Sequence, residues 1–421
     1  MNEIYEIRDP IHGLIQFNEL ERRVINHPVF QRLRDINQLA WTHYVYPGGT
    51  HKRFEHSIGV MHLASRIMNH LYYDSPDKNT TLVAKEYLGP ESDFKFKVQL
   101  FRLAALVHDI GHLPFSHSGE SLLKPHPTEA KSLRHEDYSD SIIRHYLPEV
   151  LESSHDRKVN QYNITAKEIA DTYAGKGQAN LLSEILSGPI DADRCDYLLR
   201  DSLHLGVEYG RFDLDRLINT LVLHKGPQED REFEHIIFID EDGTDAAFSM
   251  LMARYLMFSQ VYYHKTRRVL DMHFTEAMKD ILKDEFGEET FPGPDQIGNY
   301  IKLDDTYVLT KMKQLKDRSD HCRRLLDRNH YRLLGNVSAD NPKEENAKVV
   351  ECLRTRHIPY FEDSIEKSLY EKDDLLVRKR NGTLNPIQKV RPSLKLLSLR
   401  FERVYVPKER RTEVETWRPS N

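Results

Sequence analysis

The chain has 421 residues and a net charge of −6, with 39% hydrophobic and 30% charged residues. That size allows one large core plus an elaborated lobe, and the balance excludes a disordered chain or a surface wholly devoted to nucleic acid. No apolar run approaches the roughly 18 residues of a membrane span, and MNEIYEIRDPIHG lacks the basic and apolar regions of a secretory signal, so a cytoplasmic protein with no membrane partner is expected.

Residues 3 to 17 alternate apolar and polar side chains around Asp9-Pro10-Ile11-His12-Gly13, predicting a short hairpin. NELERRVINH and FQRLRDINQL read as helices separated by Pro28. After YPGGTHKRFE, the residues Ile58, Met61, Ala64, Ile67 or Met68, and Leu71 recur at helical spacing, which puts His56 at the start of a helix. FKVQLFRLAALVHDIGH is helical in pattern with Gly111 as its C-terminal cap, so His108 and Asp109 are expected in its last turn.

Ser187-Gly188-Pro189 reads as the start of a helix through IDADRCDYLLRD, on which Asp193, Tyr197 and Asp201 share one face. From about Asp245 to Phe286 the pattern is again helical, with breaks. The C-terminal third differs: Asn381-Gly382 is a hairpin-turn signal, and LKLLSLRFERVYV alternates after it. A boundary near residue 272 follows, with a core over 1–272 and a smaller mixed α/β lobe over 273–421.

Between Arg378 and Arg411, eleven Lys or Arg face only Glu402 and Glu409. Such a stretch reads first as a solvated face. Cys195, Cys322 and Cys352 lack the spacing of a zinc or disulfide framework and read as reduced thiols.

A divalent metal that activates water needs neutral imidazoles and carboxylates from several segments, with a coordination position left open. His56, His108, Asp109 and either Asp191 or Asp193 offer that set. The doublet alone proves little, because His155-Asp156 is a second one in the polar, loop-like context SSHDRK. His108-Asp109 instead follows an apolar helix and stands beside His112 and His117. Two apart on a helix, Asp191 and Asp193 point to nearly opposite sides, so only one is expected to bind, and spacing leaves the choice open.

Taken together, DPIHG, FQRLRDINQL, HKRFEHSIGV, LVHDIGHLPFSH, LRHED and GPIDADRCDYLLRD resemble, in order, the signature of HD-domain deoxynucleoside triphosphate triphosphohydrolases. That family includes the restriction factor joining a sterile-alpha-motif domain to an HD domain. The resemblance runs from about residue 5 to residue 270 and implies a mainly α fold: an HD-domain helical core with the short hairpin and the mixed lobe. The family pattern D-x-D-[KR]-x-D-Y selects Asp193, followed by Arg194, over Asp191. The implied metal ligands are His56, His108, Asp109 and Asp193, for iron, manganese, zinc, nickel or cobalt, with magnesium accompanying the substrate triphosphate.

The implied reaction converts a dNTP to a deoxynucleoside and intact triphosphate. By the same resemblance His117 protonates the departing 5'-oxygen, His112 lies near the α-phosphate, and His135 assists. Glu120, where the relative has aspartate, orients His117, and Glu136 is a secondary member. Arg53, Arg194, Tyr197 and Arg254 map to the phosphates, and Gln38, Leu39, Asp201 and Tyr262 to the sugar. There Gln38 and Asp201 would bond the 3'-hydroxyl and Tyr262 would leave no space for a 2'-hydroxyl.

Gln31 and Arg34 match the pocket for an activating nucleotide in regulated relatives. Asn26 stands where the restriction factor has aspartate; an amide offers guanine one acceptor and one donor rather than two acceptors, so guanine-specific activation is not expected, though another nucleotide could act there. A homo-oligomer, with a tetramer favoured, is implied. Nucleic acid is a less favoured partner. Two other readings compete: an HD phosphohydrolase of another nucleotide or phosphodiester, and a nucleotide-sensing or nucleic-acid-binding protein.

Overall fold

A computed structural model describes residues 3–128, 130–152, 159–173, 180–223, 237–334, 342–368 and 375–416; the His155-Asp156 doublet lies outside them. Strands β1 (Ile4–Asp9) and β2 (Gly13–Asn18) form the N-terminal hairpin, paired from Ile4–Asn18 to Asp9–Gly13. Its turn is fixed by Asp9, whose carboxylate accepts the Ile11 and His12 backbone N–H groups at 2.8 Å. Asn18 then caps α1 (Glu19–Asn26) in a capping box with Glu21.

Pro28 opens a separate short helix, Pro28–Gln31, followed by a 3-10 turn over Arg32–Asp35. The predicted continuation of FQRLRDINQL as helix is corrected here. Ile36 to Gln38 are drawn out by distant partners: the Asn37 N–H donates to Asp305 at 2.9 Å, the Gln38 N–H to the His51 carbonyl at 3.0 Å, and the Arg53 N–H to the Ile36 carbonyl at 3.0 Å. Backbone groups satisfied in this way are lost to a helix.

Helix α2 (Arg53–Asn69) is buried on both sides. Ile58 and Met61 join one core cluster with Phe30, Leu103, Tyr138 and Phe274, while Val60, Leu63 and Ile67 join another with Phe101, Leu198 and Met250. Helix α3 (Glu91–Leu106) packs along α2 but ends before the doublet, so His108 and Asp109 lie in the turn after it, not in its last helical turn. Gly111 is not a left-handed cap either. A Cβ there would lie 2.2 Å from the Ser139 nitrogen and 2.5 Å from the His135 carbonyl. Gly111 is needed because α4 (His135–Tyr146) begins directly against it.

Helix α5 (Ala192–Leu205) is capped by Asp191, which accepts the Arg194 N–H at 2.6 Å; the expected Ser187 instead ends the preceding helix, Asn180–Ser187. The local Ser-Gly-Pro signal loses to an aspartate placed immediately before the helix. The long pattern after Asp245 divides into α6 (Thr244–Met257), a π-type turn at Phe258–Tyr262 and α7 (Lys265–Phe286).

Small sheets complete a mainly α fold. Strands β3 (Leu221–Leu223), β4 (Ile237–Asp240), β7 (Leu376–Arg378) and β8 (Leu384–Pro386) form one sheet in that order; β5 (Arg332–Leu333), β9 (Ser398–Val406) and β6 (Phe361–Ser368) form another. Asn381-Gly382 lies in the β7–β8 turn as predicted, whereas β9 pairs with β5 and β6. The first sheet joins strands from both sides of residue 272. In the basic stretch Arg378 meets Asp77 and Asp240, Lys379 meets Glu241, Arg380 meets Asp242, and Arg403 meets Asp363. Among the described residues no helix is long and apolar enough to cross a membrane.

Candidate metal centre and active site

The first turn of α2, the turn after α3 and the first turn of α5 bring four side chains together. His56 Nε2 lies 3.0 Å from Asp193 Oδ1 and 3.6 Å from Asp109 Oδ2; His108 Nε2 lies 3.5 Å from Asp109 Oδ1 and 3.9 Å from Asp193 Oδ1. His108 Nε2 is buried without a hydrogen-bond partner, and His56 Nε2 is buried facing the Asp193 and Asp109 carboxylates. Their Nδ1 atoms are engaged elsewhere, that of His56 by Asp196 and that of His108 by the Ala105 carbonyl, each at 2.8 Å. With Nδ1 engaged, each ring points Nε2 inward, the atom it would offer to a metal as a neutral imidazole. His56, His108 and Asp109 hold ligand atoms within 4.8 Å of one another, a set that fits a divalent transition metal, and Asp193 Oδ1 adjoins both rings.

Geometry distinguishes the two aspartates that spacing left open: Asp193 faces both histidines, whereas Asp191 caps α5. Burial pushes the capping Asp191 carboxyl up to about 7. Burial also opposes ionisation of Asp193, but the neighbouring His56 holds its carboxyl below the ordinary value. Asp109 is likewise buried and held well below it, by Arg53 and the two histidines. Burial works against charging His56, yet Asp193 and Asp196 raise it to about 10. The pocket favours positive charge between these four side chains.

Asp196 is the centre of a buried network behind the ligands. It takes the His56 Nδ1–H, the His12 ring at 2.8 Å, and a bidentate Arg200, which also reaches Asp9 at 2.8 Å. The hairpin turn is thus wired to the metal site. Gly59 makes room for it, since a Cβ there would lie 2.0 Å from Asp196 Oδ1.

Beside the quartet, the ring of His112 stacks on His135 at 4.2 Å and meets His117 edge-on at 4.7 Å. Ring nitrogens of these three lie within 4.8 Å of one another, close enough to share a cation. Glu120 Oε1 bridges His117 Nδ1 at 2.8 Å and His135 Nδ1 at 3.0 Å. Burial opposes charge on Glu120, but both histidine bonds hold it well below the usual carboxylate range. Burial opposes charge on His135 as well, while Glu120 raises it. His112 is pushed well down by burial and by Arg53, and neither of its ring nitrogens has a hydrogen-bond partner. Glu136 Oε2 stands 3.5 Å from His135.

His117 is presented by strained backbone. Phe115 and Ser116 both take left-handed conformations, with φ of 53° and 54°, at a cost of order 1–3 kcal/mol each. Trp41 stacks on Phe115 at 4.4 Å and Asp305 accepts the Phe115 N–H at 2.6 Å, which hold the turn.

The phosphate candidates divide in two. Arg53 turns toward the candidate ligand Asp109 and donates to Ser116 Oγ at 2.8 Å. Arg194 donates to the Gly188 carbonyl at 2.6 Å, and its charge and that of Arg254 both bear on Tyr197. On the sugar side, Tyr262 donates to Asp201 Oδ2 at 2.6 Å and His51 Nε2 pairs with Oδ1 at 2.7 Å, so Asp201 is already engaged on both oxygens. Gln38 Oε1 is buried without a partner and Leu39 is buried beside it. Elsewhere Gln31 and Arg34 touch at 2.8 Å, and Gln31 holds the Ile25 carbonyl next to the exposed Asn26.

Sequence reasoning missed His12, His51, Asp196 and Asp305. Three of them were inside quoted motifs: His12 in DPIHG, His51 beside the first ligand, and Asp196 as the third aspartate of the α5 motif. Nothing local marks Asp305.

An HD domain model matches residues 53–200 and an HD associated region model matches residues 212–362. An uncharacterized protein of Methanocaldococcus jannaschii is 30% identical over 97% of this chain and 80% of its own length. The deoxynucleoside triphosphate triphosphohydrolase SAMHD1 of Gallus gallus is 32% identical over 64% of this chain, which spans 44% of that relative. A crystal structure of a phosphohydrolase from Bacteroides thetaiotaomicron superposes with a TM-score of 0.71 at 25% identity, covering 96% of this chain and 99% of the other. With the helical core, the matching motifs and these relatives in place, the chain belongs to the HD-domain phosphohydrolase family, in the group related to the deoxynucleoside triphosphate triphosphohydrolases.

Proposed function

We propose that the protein hydrolyses dNTPs to deoxynucleoside and inorganic triphosphate at the site built on His56, His108, Asp109 and Asp193. The observation that carries this reading is a group of buried polar atoms without hydrogen-bond partners: Nε2 of His108, both ring nitrogens of His112, and Gln38 Oε1. Each such atom costs roughly 1–3 kcal/mol. Their grouping from the quartet to the sugar side points to a ligand with a phosphate end and a polar sugar end.

A bound transition metal would supply an activated water and neutralise charge on the α-phosphate. His117, held at Nδ1 by Glu120, is left with Nε2 to protonate the departing 5'-oxygen. His135 shares the same carboxylate and keeps that network charged. Neutral His112 lies against both rings, placed for the α-phosphate. Arg194, Arg254 and Tyr197 take the phosphate tail, while Tyr262, locked on Asp201, closes the space a 2'-hydroxyl would need. Incubation with manganese or magnesium and each dNTP tests this, since triphosphate and deoxynucleoside are the expected products. Pyrophosphate or orthophosphate as the first product contradicts it.

Nucleotide activation of a homo-oligomer, as a tetramer, belongs to the same reading. A pocket of ≈ 270 Å³ lined by Lys265, His330, Arg332, Tyr405 and Arg411 supports an anionic effector. Burial, together with Arg332, Arg328 and Lys408, pushes His330 down to about 4, in keeping with a strongly positive environment. Turnover only in dNTP mixtures, with a mass increase in light scattering, is the expected result.

A further inference from the structure

Arg194 and Arg254 come from α5 and α6. A third cation approaches them from the other end of the chain. Lys367, near the end of β6, places Nζ 4.7 Å from the centroid of Phe258, the ring against which the Arg254 guanidinium also lies at 5.7 Å. Phe258 packs edge-on against Tyr262 at 5.0 Å, and Tyr262 lies 6.1 Å from Tyr197. An unbroken run of contacts therefore leads from Lys367 to the phosphate and sugar side of the site.

The strand pattern makes this position unusual. Alternation along β6 buries Asp363 and Ile365, and Lys367 is the next residue on that inward face. A lysine with only a solubilising role belongs on the outward face, at positions such as 366 or 368. Burial, and then the charges of Arg254 and Arg194, push the Lys367 amine below its ordinary pKa. Like charges gathered in a partly dry place repel, and an anion among them turns that repulsion into attraction.

We propose that Lys367 is a third phosphate-binding cation, contributed by the C-terminal strand β6, which takes the terminal phosphate of a polyphosphate tail and so favours triphosphates over shorter nucleotides. Arg194 follows the candidate ligand Asp193 directly, whereas Lys367 shares the Phe258 ring with Arg254 on a different element. This order assigns Lys367 to the end of the tail. The inference rests on the dNTP reading of the site and deepens it.

The test measures binding of inorganic triphosphate and of pyrophosphate to the full chain by calorimetry, without turnover. Wild type is compared with Lys367→Gln, Lys367→Met and Lys367→Arg, and with Lys395→Gln at an exposed position as control. Both neutral variants are expected to bind triphosphate about tenfold more weakly, the size of one charge-assisted hydrogen bond. Pyrophosphate binding stays within twofold, and Arg restores most of the triphosphate affinity. Met keeps an apolar stem over Phe258, so a loss shared by Gln and Met is not an unpacking effect. Equal triphosphate affinity in wild type and both neutral variants, or no triphosphate binding by wild type, overturns the inference. Failure of the dNTP reading shows separately, as pyrophosphate or orthophosphate released from dNTPs by wild type.

Discussion

His56 Nδ1 donates to Asp196 Oδ2 at 2.8 Å, and both residues are fully buried. This bond fixes the ring so that Nε2 faces Asp109, Asp193 and His108. Asp196→Asn keeps the size but presents an amide that can no longer accept from His56, His12 and Arg200 with full charge. Metal affinity is expected to fall 10–100-fold, the usual effect of removing a partner behind a ligating histidine. Titration of the apo protein with manganese or cobalt measures it, and unchanged affinity would remove Asp196 from the metal site's support.

His117→Ala separates binding from proton transfer. The residue is no member of the quartet and is partly exposed, so the variant retains its metal. Turnover falls 10²–10⁴-fold, the range of a lost general acid. Metal content by mass spectrometry alongside steady-state rates decides the matter. A variant that loses metal and rate together would place His117 among the ligands.

Glu120 raises His135 against the effect of burial. Glu120→Gln removes that carboxylate, so the His135 pKa drops and its charged form is lost at lower pH than in wild type. The basic limb of the kcat profile shifts toward acid, while the metal-binding isotherm at neutral pH is unchanged. A profile that only drops in height, with both limbs in place, would show that the carboxylate does not set the charge of this network.

Gly111→Ala forces a methyl group into the backbone at the start of α4. Overpacking of this kind costs about 1–3 kcal/mol, and more where backbone must move. A fall in thermal midpoint is expected together with loss of activity, because the same turn carries His108 and Asp109. A midpoint equal to wild type would contradict the packing described.

Local signals were legible where one segment decides its own shape. The Asp9–Gly13 turn, the apolar stripe after His56 and the Asn381-Gly382 turn all formed where the sequence placed them. Features set by distant partners were not. Asn37 is held in a bridge to Lys52 rather than in a helix because Asp305 and His51 claim the Asn37 and Gln38 N–H groups, and Gly111 is needed because of α4; local sequence reveals neither. At the start of α5 the Ser-Gly-Pro signal misleads, because Asp191 caps the helix and Ser187 ends the one before it. Strand β9 was readable as a strand, but its partners β5 and β6 were not. For the candidate site, the four candidate ligands lie in spaced motifs, whereas the bonds of Asp196 to His12 and His56 and the approach of Lys367 to Phe258 join distant parts of the chain.

The most direct test of the central claim is hydrolysis of a dNTP in ¹⁸O-labelled water, followed by mass analysis of both products. Attack at the α-phosphorus with departure of the 5'-oxygen predicts one ¹⁸O in intact triphosphate, none in the deoxynucleoside, and no reaction in the His108→Ala, Asp109→Ala double variant. Label in pyrophosphate, orthophosphate or the nucleoside, or activity that survives the double variant, would contradict it.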